Sequence, residues 1–141
     1  MNPAFLTKLI TDDDAFPVTL VEPLIYQSAI LNGVVRVPVG FVTDFASIPW
    51  IVQWRIPKLG PWNRAATIHD WMYSQGKFNG TPMSRKTADR VLLEALSITV
   101  PAAEVSLMIF EGVRLGGWWA WWRYRHTTFK PTDATPPQVA A

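Results

Sequence analysis

Two helix-forming segments on either side of a short turn constrain the fold of this chain more than any other feature. The first predicted helix covers about residues 60–76, and the second covers 84–99, with Ser84 as its N-cap. Residues 76–82 between them are rich in glycine, asparagine, threonine and proline, a composition typical of a turn. With so short a connection, the two helices are expected to pack antiparallel as a hairpin.

One polar residue interrupts the apolar face of each predicted helix. Apolar residues recur at steps of three and four in both segments, which places them on one side of a helix. His69 interrupts the first of these faces, and Asp89 interrupts the second. The turn centres near Asn79 and Gly80. Because His69 lies as far before this turn as Asp89 lies after it, to within one residue, we expect their side chains to meet across the hairpin.

The part of the chain before the hairpin carries the patterns of β-strands. Segments 17–21 and 24–26 are rich in β-branched and aromatic residues, and alternating apolar residues run through 35–41. The dipeptide Asn32-Gly33 is a frequent hairpin turn. We therefore predict two to four short antiparallel strands, followed by a short helix that Ser47 caps.

The part after the hairpin predicts a third long helix. It runs from Ala102 to about Leu115, where Gly116-Gly117 breaks it, and an aromatic-rich extension follows over 118–125. The sequence thus predicts a single α+β domain over residues 1–126. In this domain a small N-terminal antiparallel sheet precedes an antiparallel helical hairpin and a third long helix with its aromatic-rich extension. Residues 127–141, which contain several prolines, are predicted to be a flexible C-terminal tail.

Composition excludes several kinds of site. The 141 residues include no cysteine, which rules out disulfides, thiolate zinc sites and cysteine nucleophiles. The formal net charge is only +2, so no nucleic-acid partner is expected. The N-terminal residues lack the pattern of a signal peptide, and no apolar run approaches the ~20 residues that span a bilayer.

His69, Asp89 and Tyr73 are the candidate catalytic residues. A carboxylate that holds one imidazole nitrogen orients the ring, so that its other nitrogen can act as a base. Tyr73 lies one helical turn after His69, where its hydroxyl group can reach Asp89. The alternative interpretation is a buried polar network that fixes the register of the two helices and has no chemical role.

Asp70 and Asp44 are the candidate metal ligands. Asp70 directly follows His69 and points about 100° away around the helix, off the packed face. Asp44 lies in a predicted loop over 40–47, whose carbonyl groups could complete the six to eight oxygen ligands that calcium takes. The alternative for Asp44 and Ser47 is that they stabilise a turn and cap the following helix.

The aromatic-rich extension is a candidate binding surface. Four of the eight tryptophans fall within five positions, with arginines directly after them. Aromatic rings next to basic groups are typical of membrane interfaces and of binding surfaces, so anionic membrane lipid is a candidate partner. In the alternative interpretation about half of the rings close the core. The candidate surface residues are Trp118, Trp119, Trp121, Trp122, Arg123 and Arg125.

Four sequence strings together resemble a family of phage and prophage proteins known only as a domain of unknown function, DUF1353. They are VGFVTDFASIP over 39–49, AATIHDWMY over 65–73, AD over 88–89 and EGVR over 111–114. The resemblance covers about residues 16–117. It implies a phage or prophage origin, from the tail or lysis end of the genome. Because the sequence shows no signal peptide, we expect a protein made in the host cytoplasm and associated with the virion, with other phage structural proteins as partners. The resemblance implies no particular activity.

A local resemblance to the secreted phospholipase A-two family covers the helix pair. In that family one helix carries His-Asp-x-Cys-Tyr and the facing helix carries Cys-Asp-Arg, which match the sequence HDWMY over 69–73 and Asp89-Arg90. The resemblance implies that His69 is the general base, that Asp89 orients it, and that Asp70 binds calcium. The chain departs from that family in lacking its cysteines and a recognisable glycine-rich calcium loop. The function that this resemblance implies is a calcium-dependent hydrolase acting on the host envelope, and it is the alternative to a virion-associated protein.

Overall fold

The computed structural model describes residues 1–11, 17–43 and 60–126. Three parts of the sequence predictions lie outside these residues: the metal candidate Asp44, the short helix predicted to begin at Ser47, and the tail over 127–141. The described residues form an α+β structure, as predicted, with short strands before a set of helices. The strands are β1 (Ala4–Phe5), β2 (Val18–Thr19), β3 (Leu24–Ser28), β4 (Gly33–Val37), β5 (Val42–Thr43), β6 (Lys77–Phe78) and β7 (Thr81–Pro82). The helices are α1 (Asn63–Gln75), α2 (Arg85–Thr99), α3 (Ala103–Gly116) and α4 (Trp118–His126).

The N-terminal strands form two small antiparallel sheets where one was predicted. One sheet has the strand order β1-β3-β4, and the other pairs β2 with β5. In the larger sheet Leu24 lies opposite Val37 and Tyr26 lies opposite Val35, and all four side chains are buried. This alternation gives the sheet one apolar face, which packs against α1 and α2.

The two Asn-Gly dipeptides have different roles. Asn79 and Gly80 both have positive φ angles, 49° and 79°, and form the two-residue turn of the β6-β7 hairpin. Asn32 also has a positive φ of 48°, but it ends a four-residue loop, because Gly33 already pairs with Ser28 as the first residue of β4. A Cβ atom on Gly33 would lie 2.8 Å from the ring of Phe78, so any larger residue there would have to displace that ring.

Helix α1 is the central element of the structure. It packs against α2 and α4, and it also contacts strands β3 and β4 of the larger sheet. Because α1 has neighbours on several sides, its buried residues are not confined to one apolar face. The buried residues of α1 are Ala65, Ala66, Thr67, Ile68, His69, Asp70, Met72, Tyr73 and Ser74.

The helix ends follow the predicted pattern. Gly76 ends α1 in the left-handed conformation, with φ of 63°, and its N–H donates to the carbonyl of Met72. Ser84 caps α2 by accepting a hydrogen bond from the N–H of Thr87. Helix α3 ends at Gly116, and Gly117 lies between α3 and α4 with its N–H donating to the carbonyl of Val113. None of the described helices is long and apolar enough to cross a membrane.

Candidate active site

The helical hairpin brings His69 and Asp89 into direct contact. The Nε2 atom of His69 lies 2.7 Å from Oδ1 of Asp89, and both side chains have no exposed surface. Helices α1 and α2 pack side by side through this contact. The prediction that the two side chains meet within hydrogen-bond distance is confirmed.

Tyr73 forms a hydrogen bond with the same oxygen of Asp89. Its hydroxyl group donates to Oδ1 of Asp89 at 2.5 Å, and its ring centroid lies 4.1 Å from that of His69. The side chain is completely buried. The prediction that the Tyr73 hydroxyl reaches Asp89 is confirmed, and the hydrogen bond and ring contact restrict the orientation of His69.

Two arginines hold the second oxygen of Asp89, and neither was among the predicted site residues. Arg114 of α3 donates to Oδ2 at 2.6 Å, and Arg85 of α2 donates to it at 3.3 Å. Arg85 also donates to the carbonyl groups of Val113 and Arg114, near the end of α3. The i, i+4 spacing of Arg85 and Asp89 is visible in the sequence. Arg114 belongs to the EGVR string but carries no spacing relation to Asp89.

The Asp89 carboxylate therefore accepts hydrogen bonds from four side chains. Burial alone would raise its pKa. The hydrogen bond and electrostatic attraction of His69, together with the hydrogen bonds from Tyr73 and Arg114, outweigh burial and hold the pKa of Asp89 below its ordinary value of 3.8. An ionised carboxylate only accepts hydrogen bonds, so Nε2 of His69 carries the proton that faces Asp89. The proton that His69 would take up in a reaction therefore binds at Nδ1.

Burial also changes the titration of Tyr73. Burial raises the pKa of Tyr73 above the ordinary 10.0, and the charge of Asp89 and the hydrogen bond to it raise the pKa further, while Arg85 opposes the shift. Burial together with Glu94 likewise raises the pKa of Tyr26. Both hydroxyl groups therefore keep their protons in the folded protein at a pH where tyrosines of the unfolded chain ionise.

This difference predicts a loss of stability at alkaline pH. The contribution of Tyr73 is complete below pH 10 and is lost as the pH rises toward its raised pKa, because only the unfolded state releases the proton. We expect the free energy of unfolding to fall by about 1 kcal/mol for each such tyrosine between pH 10 and pH 11, and by about 1.4 kcal/mol for each further pH unit while the folded protein keeps the proton. In denaturation experiments at a series of pH values, Tyr73→Phe and the matched control Tyr26→Phe should each remove the contribution of one tyrosine to this pH dependence. An unchanged slope in Tyr73→Phe would contradict the burial of its hydroxyl group.

The expectation that Asp70 points off the packed face of α1 is wrong. Its side chain is 1% exposed, and its Oδ2 atom accepts a hydrogen bond from the hydroxyl group of Thr43 in β5. The reason is the central position of α1, because the side of the helix that faces away from Asp89 is covered as well. Within residues 1–11, 17–43 and 60–126, no group of three or more His, Cys, Asp or Glu side chains could hold a metal ion.

A comparison with known protein families identifies the family of this chain. The family described as "Protein of unknown function (DUF1353)" matches residues 18–113. The chain belongs to this family. No curated protein and no solved structure matches it. The DUF1353 match contains His69, Tyr73, Asp89 and Arg85, and it ends directly before Arg114.

Helix α4 lies beyond the DUF1353 match, and its predicted surface residues divide into two sets. Trp121 and Arg125 turn toward α1: the Trp121 ring packs edge-on against Tyr73 at 5.2 Å, and the Arg125 guanidinium lies 4.4 Å from the Trp121 ring centroid. Arg125 also donates to the carbonyl groups of Tyr73 and Ser74 at the end of α1. The remaining members, Trp118, Trp119, Trp122 and Arg123, are exposed.

Proposed function

We propose that this DUF1353 protein is a hydrolase in which His69 is the general base that activates water. The observation that carries the proposal is the 2.7 Å contact between Nε2 of His69 and a carboxylate that three further side chains hold in place. Such a carboxylate sets the tautomer and the orientation of the imidazole, and it stabilises the positive charge that the ring gains when it takes a proton.

The proposed reaction uses His69 twice. As the oxygen of a water molecule forms a bond to the carbonyl carbon of an ester, Nδ1 of His69 takes up the proton that the water loses. The tetrahedral intermediate then breaks its bond to the alcohol oxygen, and the imidazolium returns the proton to that oxygen. The products are a carboxylic acid and an alcohol, and His69 is neutral again. Asp89 stays ionised throughout, in agreement with its lowered pKa.

The proposed substrate is a carboxylic ester of a phospholipid in the envelope of a bacterial host. Three features support this class: the order of the two helices, the identity of His69 and Asp89, and a tyrosine one turn after the histidine, all of which match the secreted phospholipases A-two. Those enzymes use disulfides to hold the helix pair together. In this chain the hydrogen bonds of His69 and Tyr73 to Asp89 join α1 to α2, and those of Arg85 join α2 to the end of α3.

Calcium would supply a positive charge to polarise the ester carbonyl group, with Asp70 and Asp44 as its proposed carboxylate ligands. Asp70 is the one of the two that the structure describes. Its carboxylate is buried and accepts a hydrogen bond from Thr43, and the described ranges contain no group of three or more acidic or histidine ligands. The described residues do not by themselves form a calcium site, so no step of the proposed reaction passes through the metal.

A structural component of a phage tail or virion is the second candidate function. The observation that favours it is the complete burial of His69 and Asp89, because a side chain that reacts with substrate needs access to it. In this role the network joins α1, α2 and α3, and it needs no bound substrate. The partners would be other phage structural proteins.

Fatty-acid release from vesicles of anionic phospholipid separates the two candidates. We expect wild-type protein to release fatty acid and His69→Gln to do so ~10²–10⁴-fold more slowly, the range that general-base catalysis supplies. Lys86→Gln is the control, because Lys86 is an exposed residue of α2 that the proposed reaction does not use. This control should retain the wild-type rate.

Parallel reactions with calcium and with a chelator test the metal assignment. A rate that requires calcium and is lost in Asp70→Asn would support the metal role of Asp70. Equal rates in calcium and chelator would remove that role and leave the general base in place. Absence of release by folded wild-type protein under both conditions would contradict the hydrolase and favour the structural candidate.

A further inference from the structure

Helix α4 exposes a continuous set of large apolar side chains. Trp118, Trp119 and Trp122 are 57%, 55% and 46% exposed, and Leu115 in the last turn of α3 is 81% exposed. The three tryptophans are spaced by one, three and four residues along α4, and Leu115 lies three residues before Trp118 in the chain. We call these four residues the tryptophan face.

The indole rings of the tryptophan face contact one another on the surface. The rings of Trp118 and Trp119 lie 6.2 Å apart between centroids, and those of Trp119 and Trp122 stack at 5.4 Å. The Trp122 ring also stacks on His126 at 4.7 Å. The face is therefore a ridge of aromatic surface on the outside of the protein, of a kind that soluble proteins seldom expose without a binding role.

The opposite side of α4 determines which rings point outward. Ala120 is buried, Trp121 packs against Tyr73, and Arg125 binds carbonyl groups at the end of α1. These contacts orient the helix. The tryptophan face consequently contributes little to the packing of the described fold, and its composition needs another explanation.

The charged side chains of α4 are all basic. Among them Arg123 is exposed and directly follows Trp122 of the tryptophan face. The nearest acidic residue before α4 in the chain is Glu111, which is exposed on α3 one turn before Leu115. Indole rings prefer the headgroup region of a bilayer, and arginines beside them attract anionic lipid. A raised aromatic ridge with basic neighbours complements a negatively charged lipid surface in both polarity and charge.

We propose that the tryptophan face inserts into the interface of an anionic bilayer, with the indole rings at headgroup level and Arg123 contacting lipid phosphates. This goes beyond the proposed hydrolysis, because binding of the lipid surface requires none of the side chains that hold Asp89. It also gives α4 a role of its own outside the DUF1353 match. The contacts of Trp121 and Arg125 with α1 link this bound surface directly to the helix that carries His69.

The test measures binding of the full chain to vesicles by cosedimentation. Wild-type protein should bind vesicles of phosphatidylglycerol and phosphatidylcholine, and it should bind pure phosphatidylcholine more weakly. The triple variant Trp118→Ala, Trp119→Ala, Trp122→Ala should bind the anionic vesicles at least about tenfold more weakly. Arg123→Gln should weaken the same binding roughly fivefold, with a smaller effect on phosphatidylcholine.

Ile98→Ala is the matched control, because Ile98 is an exposed apolar residue of α2 outside the tryptophan face. Its binding should equal that of the wild type, and circular dichroism should show that every variant is folded. His69→Gln should also bind like the wild type. Vesicle binding without ester hydrolysis would support the lipid-binding face and contradict only the proposed hydrolase.

Two results would overturn the proposal. One is wild-type protein that does not bind anionic vesicles, and the other is a folded triple variant that binds them as tightly as the wild type. If the wild type binds no vesicles, and sedimentation shows a dimer that becomes a monomer in the triple variant, the tryptophan face would be assigned to contacts with another copy of the chain.

Discussion

Replacement of Asp89 with alanine is expected to lower the free energy of unfolding by about 3–5 kcal/mol. The variant leaves the imidazole of His69 and the hydroxyl group of Tyr73 buried without the acceptor that both now share. Arg85 and Arg114 lose the same acceptor, but their side chains are 19% and 33% exposed and can bind water instead. Most of the loss therefore comes from the two fully buried groups. Urea denaturation of the purified variants measures it.

Arg90→Ala is the matched control for this experiment. Arg90 follows Asp89 on α2 and is exposed, so its replacement should change the free energy of unfolding by less than about 0.5 kcal/mol. The pH dependence provides a second check. Because the pKa of Asp89 is lowered, its contribution is complete above the ordinary value of 3.8 and is lost as the pH falls through the lowered pKa. A loss below about 1 kcal/mol in Asp89→Ala at neutral pH would contradict the buried network.

Replacement of Asp89 with asparagine is expected to slow ester hydrolysis by ~10²–10⁴-fold in a protein that remains folded. This expectation rests on the proposed hydrolase. The amide keeps the shape of the carboxylate, but it carries no charge to stabilise the imidazolium of His69. Its NH₂ group can also donate to Nε2, which favours the tautomer with the proton on Nδ1. That nitrogen can then no longer accept a proton from water.

Initial rates across a pH series, together with circular dichroism, measure the effect of Asp89→Asn. A structural role alone predicts a change in melting temperature without a matching change in the rate of the folded protein. A folded Asp89→Asn variant whose rate stays within about threefold of the wild type would show that Asp89 does not orient a catalytic base. His69→Gln and Asp89→Asn should also be non-additive when combined, because the two residues act as a unit.

The contact between His69 and Asp89 could be predicted because it depends on local rules. Periodic apolar residues define two helices, and the turn at Asn79-Gly80 sets their register, so counting outward from the turn identifies the facing residues. Tyr73 follows from the same geometry, one turn along α1. Helix periodicity and turn chemistry are properties of neighbouring residues, and they remain visible in a sequence without its fold.

The environment of Asp70 and the contact of Arg114 could not be predicted in the same way. Periodicity suggested one packed side of α1, whereas β5 covers the side on which Asp70 lies. Arg114 reaches Asp89 from α3, and the relative position of α2 and α3 depends on how the whole structure packs. The turn at Asn32 shows the same limit. Gly33 does not lie at the centre of a two-residue turn, because it already pairs with Ser28. It packs against the ring of Phe78, which lies far along the chain.

The hydrogen bonds of Arg125 to the end of α1 limit where the chain can be truncated. Its guanidinium group occupies the space above Gly76, where a Cβ atom would overlap it, and binds the last carbonyl groups of the helix. A protein ending at Gly117 would lose this contact together with the ring that covers Tyr73. Expression boundaries, affinity tags and fusion partners should therefore be placed after His126, so that the helix carrying His69 keeps the residues that close its end.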